Sequence, residues 1–151
     1  MHRRNILAGV LTAAGGLFAA ASATRANAAT PTAPDKSKVV YHLTDLDKAN
    51  FVLGNIKNHY DGVGGPANVT IVLVIHGPAL KAFHTASANP DSTKRIAEFS
   101  KAGLQLNACG NTMKAQNVTL KELLPGFTVV EAGGVVRLAE LQSMGYVYLR
   151  P

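Results

Sequence analysis

From Lys38 onward the chain alternates two hydrophobic rhythms. Residues 39–43 and 69–75 are short runs of β-branched and apolar side chains. The second is apolar at nearly every position, the pattern of a strand buried on both faces of a parallel sheet. Between them Leu46, Ala49, Leu53, Ile56 and Tyr60 recur at steps of three and four, which places them on one face of a helix. Thr44 or Asp45 suits the cap of that helix, and Gly62, Gly64, Gly65 and Pro66 break it off.

After the second strand, His76-Gly77-Pro78 leads into a short helix at residues 79–83, with Pro78 fitted to its first turn. Asn89-Pro90-Asp91 opens a longer helix that carries Ile96 and Phe99 and stops at Gly103. Residues 104–108 read as a third strand running into Cys109-Gly110 at a strand-to-loop turn. Thr119, with Glu122 three residues later, is a capping-box signature for another short helix. A fourth strand at 127–130 follows. Gly133-Gly134 then introduces a helix through Val135, Leu138 and Leu141, Gly145 closes it, and a last strand covers 146–149. Strands alternating with helices imply right-handed crossovers. The predicted fold class is α/β, a three-layer α/β/α arrangement around a five-stranded, mainly parallel sheet.

The N-terminus follows another pattern. Arg3-Arg4 precedes an uncharged stretch from residue 6 to 23, mostly Ala and Gly, and Ala26-Asn27-Ala28 has the small-x-small form of a cleavage site. Basic, apolar, small is the order of a signal peptide, and the stretch is too weakly apolar for a permanent span. The paired arginines, with Arg25 just before the cleavage site, favour the twin-arginine subtype, although His2, Ile6 and Ala8 depart from its usual Ser/Thr-Arg-Arg-x-Phe-Leu-Lys form. The expected organisation is a signal peptide at 1–28, a flexible Pro-rich leader at 29–37 and a single domain at 38–151. The expected location is the periplasm, with the membrane engaged only during export. Cleavage removes three arginines and no acid, so the net charge of +6 falls to about +3. Without a Lys/Arg run in the mature part, nucleic acid is not an expected partner.

Cys109 is the only cysteine, so no intramolecular disulfide can form. Open α/β sheets gather reactive groups at the carboxyl ends of their strands. His42 lies near the end of the first strand, His76 follows the second and Cys109 follows the third, so parallel pairing brings all three to one edge. Gly110 allows close backbone approach to a bound group, and the N–H groups after it favour a thiolate. Asn111 and Thr112 are potential donors to a persulfide or oxyanion. His76 is the candidate base, and Gly77 and His42 complete the candidate ligand-binding set. The alternatives are a buried, inert thiol at Cys109 and structural histidines at 42 and 76. His59, near a helix C-terminus, needs no function, and His84 reads as a surface residue. Gly62-Val63-Gly64-Gly65 follows a helix and precedes a strand, the reverse of the order a phosphate loop requires. No residue is assigned to a metal, and no cofactor is implied.

Three segments together resemble the DsrE/DsrF-like family. They are Val74-Ile75-His76-Gly77-Pro78-Ala79-Leu80, then Cys109-Gly110-Asn111-Thr112-Met113, and then Gly133-Gly134-Val135-Val136-Arg137-Leu138-Ala139-Glu140-Leu141-Gln142 leading to Gly145-Tyr146-Val147-Tyr148-Leu149-Arg150-Pro151. The resemblance runs from about Lys38 to Pro151. It implies a five-stranded parallel sheet between helices and assembly with itself as a trimer or hexamer. It also implies, for Cys109, the position of the cysteine that accepts sulfur as a persulfide in sulfur-relay members and passes it to an acceptor thiol. An exported sulfur-handling protein is therefore the leading expectation. The alternative is a non-catalytic oligomer that binds a small ligand or a metal at the same strand edge.

Overall fold

A computed structural model describes residues 36–151; the expected signal peptide and most of the leader lie outside the described residues. The five strands are β1 (Ser37–Leu43), β2 (Val69–Ile75), β3 (Gln105–Cys109), β4 (Phe127–Val130) and β5 (Val147–Leu149). They form one sheet in the order β4-β3-β2-β1-β5, every pairing parallel. The helices are α1 (Ala49–Gly62), α2 (Pro90–Lys101), α3 (Gly110–Gln116) and α4 (Gly134–Ser143). The predicted fold class holds. No helix among the described residues is long and apolar enough to cross a membrane.

The strand order decides which face each helix covers. From β1 to β4 the chain steps one way across the sheet, so right-handed crossovers lay α1, α2 and α3 on the same face. The connection from β4 to β5 returns across the whole sheet and carries α4 over the opposite face. Side-chain alternation splits the interior accordingly. Val39, Tyr41, Leu43, Ile71, Leu73, Ile75 and Leu106 pack with Leu53, Ile56, Leu80, Phe83 and Ile96 in the main core. Val40, Val72 and Val74 face the other way and pack on Leu138 and Leu141 of α4. The second core is small, and polar residues share that face: His42 pairs in register with Val74, and Val74 with Asn107.

Three local expectations need correction. Leu46 is 46% exposed and lies outside α1, in a 3₁₀ segment at Leu46–Lys48. Asp45 precedes that segment without a capping hydrogen bond, and its carboxylate lies 3.5 Å from Arg150 instead. Cys109 does not open a loop: it is the last residue of β3 and the N-cap of α3, so strand passes directly into helix. The Thr119–Glu122 capping box forms as expected, with the Thr119 amide donating to Glu122 at 2.9 Å.

Candidate functional site

Cys109 is 6% exposed and sits at the meeting point of two helix N-termini. One is its own helix, α3, whose Asn111 and Thr112 amides occupy the N2 and N3 places that an N-cap side chain normally serves. The other is α4, which starts at Gly134 after an N-cap glycine, Gly133, at φ 99°. Two glycines make this approach possible. A β-carbon on Gly133 would lie 2.8 Å from Asn111 Nδ2 and 4.0 Å from the Cys109 sulfur. One on Gly134 would lie 3.2 Å from His76 Cβ and Cδ2 and 3.3 Å from Cys109 Cβ. Gly110 is equally constrained on its far side, where a β-carbon would meet the Val130 carbonyl oxygen at 3.0 Å.

The electrostatics follow from that packing. Burial by itself raises the thiol pKa. The Thr112 hydroxyl and the backbone N–H groups of Gly134, Thr112 and Asn111 outweigh burial and bring it below its ordinary value. Thr112 is itself held, because the Gly77 amide donates to its hydroxyl oxygen at 2.9 Å. Gln116, one turn further along α3, donates to the Gly77 carbonyl at 2.9 Å. Gly77 has φ 62°, a left-handed conformation that lets the chain turn sharply after His76. α3 therefore holds both backbone groups of Gly77, the residue that follows His76, beside the end of β3.

His42 and His76 form a pair. Their Nε2 atoms are 2.6 Å apart and their rings stack with centroids at 4.7 Å. The His42 Nδ1 lies 2.6 Å from the Tyr148 hydroxyl. His42 is 9% exposed, and its pKa is pushed down to about 4, first by burial and then by His76 and Arg150, against a smaller opposing pull from Asp45. Burial, then Arg150, also lowers His76. Both shifts favour the neutral imidazole near pH 7. The 2.6 Å separation is that of two imidazole nitrogens sharing one proton. Among the described residues no cluster of three or more His, Cys, Asp or Glu is placed to hold a metal ion.

All seven candidates from the sequence lie in this neighbourhood: Cys109, Gly110, Asn111 and Thr112 at the β3–α3 junction, His76 and Gly77 beside them, and His42 one residue in from the end of β1. Sequence reasoning missed Tyr148, Gly133 and Gly134 as parts of the site, and the contact between Asn107 and Arg137. Arg137 Nε donates to Asn107 Oδ1 at 3.1 Å and ties α4 to the sheet. Two other histidines lie elsewhere. The His59 ring accepts from or donates to the Tyr41 hydroxyl at 2.9 Å. His84 is half-buried and not a surface residue, since its backbone bridges to Leu123 and buries Nε2 without a partner. A 420 Å³ cleft reaches Gly110 from the α3–β4 side, and a 620 Å³ cleft opens between Phe51, His59 and Arg150. Neither is lined by Cys109, His42 or His76.

A parallel five-stranded α/β domain with a single thiol between two helix N-termini defines the class of small, cysteine-centred α/β proteins. Within it, the model of the DsrE/DsrF-like family matches residues 20–151, and the chain belongs to that family, which is linked to sulfur relay. The match begins upstream of Lys38, within the segment expected to be cleaved. Among solved structures, a protein of unknown function from Methanobacterium thermoautotrophicum is 25% identical with a TM-score of 0.67, over 76% of this chain and 99% of that one. A conserved protein of unknown function from Bacteroides thetaiotaomicron shares the fold at 19% identity and a TM-score of 0.57, over 76% of this chain and 95% of that one. No curated protein matches the chain.

Proposed function

We propose that this protein is an exported sulfur carrier that holds a persulfide on Cys109. The observation that carries the reading is the convergence of two helix N-termini and the Thr112 hydroxyl on one buried thiol, which favours its thiolate despite burial. The thiolate attacks the outer sulfur of a donor R–S–SH. The donor S–S bond breaks, RS⁻ leaves and picks up a proton, and Cys109 carries S–SH. An acceptor thiolate then attacks that outer sulfur and the Cys109 thiolate departs. Neither step changes the overall redox balance. Asn111, Thr112 and Gly110 line the space for the outer sulfur, and His76 manages the proton. A thiol only 6% exposed suits a small donor such as an inorganic polysulfide better than a folded protein persulfide. The remaining parts of the proposal are a twin-arginine-type signal at 1–28, a periplasmic location and a homotrimer or homohexamer.

The test is intact mass after incubation of the reduced protein with inorganic polysulfide. The expected product is a +32 Da adduct (about one sulfur atom) on the wild type and none on Cys109→Ser. A wild type that gains no sulfur, with a thiol inert to alkylation until denatured, removes the proposal and leaves Cys109 as a buried packing residue.

A further inference from the structure

Helix α4 starts at the thiol, but its apolar anchorage lies further along. Leu138 and Leu141 are its buried side chains, and they pack with Val40, Val72 and Val74. In the first turn Gly134 has no side chain, and Val135 and Val136 are 67% and 46% exposed. Arg137 is the first α4 side chain to reach the sheet: its Nε donates to Asn107 Oδ1 at 3.1 Å, while its Nη1 donates to Glu140 at 3.2 Å. We propose that Arg137 is a positioning residue, whose clamp on Asn107 seats the first turn of α4 on β3 and keeps the Gly134 amide at the Cys109 sulfur. Its use in sulfur transfer rests on the reading of Cys109 as the carrier.

Two short, stiff spans connect the clamp to the thiol. On β3, Asn107 and Cys109 are two residues apart, so their side chains leave the same face of the sheet. On α4, Gly134 and Arg137 are three residues apart, within one turn, and the Arg137 amide closes that turn by donating to the Gly133 carbonyl at 3.2 Å. The clamp and the thiol contact therefore join the same two elements at neighbouring points. The fit at the thiol leaves little slack, since a β-carbon on Gly134 would stand 3.3 Å from Cys109 Cβ. The Gly134 N–H is one of the groups that favour the thiolate. A first turn that lifts from β3 takes that amide with it.

The identity of the residue supports the role. A cation in the first turn of a helix faces the positive end of the macrodipole, so Arg137 does not serve the helix itself. Glu140, three residues on, offsets that cost. The planar guanidinium fork serves Asn107 and Glu140 at once. Asn107 is 7% exposed, so its carbonyl oxygen needs a partner from the protein, and Arg137 supplies it.

The experiment compares wild type with Arg137→Met, Asn107→Ala, the double variant and Leu141→Val. The readouts are the pH midpoint of Cys109 alkylation by iodoacetamide, the urea midpoint of unfolding, and sulfur uptake from inorganic polysulfide by intact mass. Arg137→Met and Asn107→Ala break one contact from its two sides, and Asn107→Ala does so with the Arg137 charge retained. Each is expected to raise the alkylation midpoint by about half a unit and to slow alkylation below it about threefold, as for one weakened hydrogen bond to the sulfur. The double variant should go no further than the larger single effect. Leu141→Val loosens α4 two turns away and should lower the urea midpoint with the alkylation midpoint unmoved. A wild-type alkylation midpoint in either clamp variant, additive shifts in the double, or an equal rise in Leu141→Val overturns the positioning role. A wild type that takes up no sulfur, while both clamp variants still raise the midpoint, upholds that role and overturns the carrier reading instead.

Discussion

Replacing Gly134 with alanine puts a methyl group where the first residue of α4 passes between His76 and Cys109. The new carbon would stand 3.2 Å from His76 Cβ, 3.2 Å from His76 Cδ2 and 3.3 Å from Cys109 Cβ. Carbon pairs attract best at about 3.5–4.0 Å, so all three contacts are repulsive. None has an easy way to yield. Both Cβ atoms belong to residues at the ends of buried strands, and the ring edge is held by the hydrogen bond between His76 and His42. Overpacking of this kind costs roughly 1–3 kcal/mol, and the reduced freedom of the unfolded chain returns about 0.4–1 kcal/mol. The net expectation is a loss of about 1 kcal/mol, or roughly 4 °C in Tm for a domain of this size.

The second consequence is electrostatic. If α4 backs away to relieve the contacts, the Gly134 amide leaves the sulfur, and the pH midpoint of Cys109 alkylation rises. Urea unfolding and an iodoacetamide pH profile measure the two effects. Gly62→Ala is the control, since that glycine ends α1 with open space around its Cα and a compatible backbone; it should be neutral or slightly stabilising. A Gly134→Ala protein as stable as wild type, with an unmoved alkylation midpoint, would refute the claim that α4 closes over the thiol.

Other expectations follow from the same geometry. Thr112→Val strands the Gly77 amide and removes the hydroxyl from the sulfur; urea titration should show a loss of about 1–3 kcal/mol with a raised alkylation midpoint, and Thr112→Ser should restore both. His42, depressed from 6.5 to about 4, binds a proton more readily in the unfolded chain, so its stabilising contribution is present above pH 6.5 and is lost as pH falls toward 4. The loss is at most about 3 kcal/mol, and His42→Gln should flatten that slope in urea midpoints measured between neutral and acid pH. Gly110→Ala should be costlier than Gly134→Ala, because its nearest obstacle, at 3.0 Å, is the Val130 carbonyl oxygen of the backbone.

β1, β2 and β4 were legible because their runs are rich in β-branched side chains, and β2 most of all: the sequence reading of 69–75 and the observed Val69–Ile75 coincide. Helix α3 was not. Gly110–Gln116 has no Ser, Thr, Asp or Asn before it, and a glycine at its first position argues against a helix. The helix forms because Gly110 packs against the end of β4, a tertiary constraint with no local trace. At the other end, Leu46 fitted the α1 periodicity by spacing alone, but a 3₁₀ segment rotates it away from the core, and hydrophobic spacing cannot register that rotation. Among site residues, those at the ends of β1, β2 and β3 could be found by the rule for open parallel sheets. Tyr148 could not, because its position depends on β5 pairing with β1 and not with β4, its neighbour in sequence.

That pairing links the fold to the chemistry. Had β5 been added beside β4, α4 would have lain on the same face as the other three helices, and nothing among the described residues would cover the end of β3 from the second side. Because β5 returns to the far edge, its crossover carries α4 over the opposite face and delivers the Gly134 amide to Cys109. The same return sets Tyr148 beside Val40, within reach of His42. One topological choice thus supplies both the second helix N-terminus at the thiol and the Tyr148 hydroxyl at the end of the histidine pair. The resulting face is only thinly apolar, with five buried residues in its core, which leaves room for His42 and Asn107 among them. A fully packed second layer would have filled those positions with aliphatic side chains and left His76 without its imidazole partner.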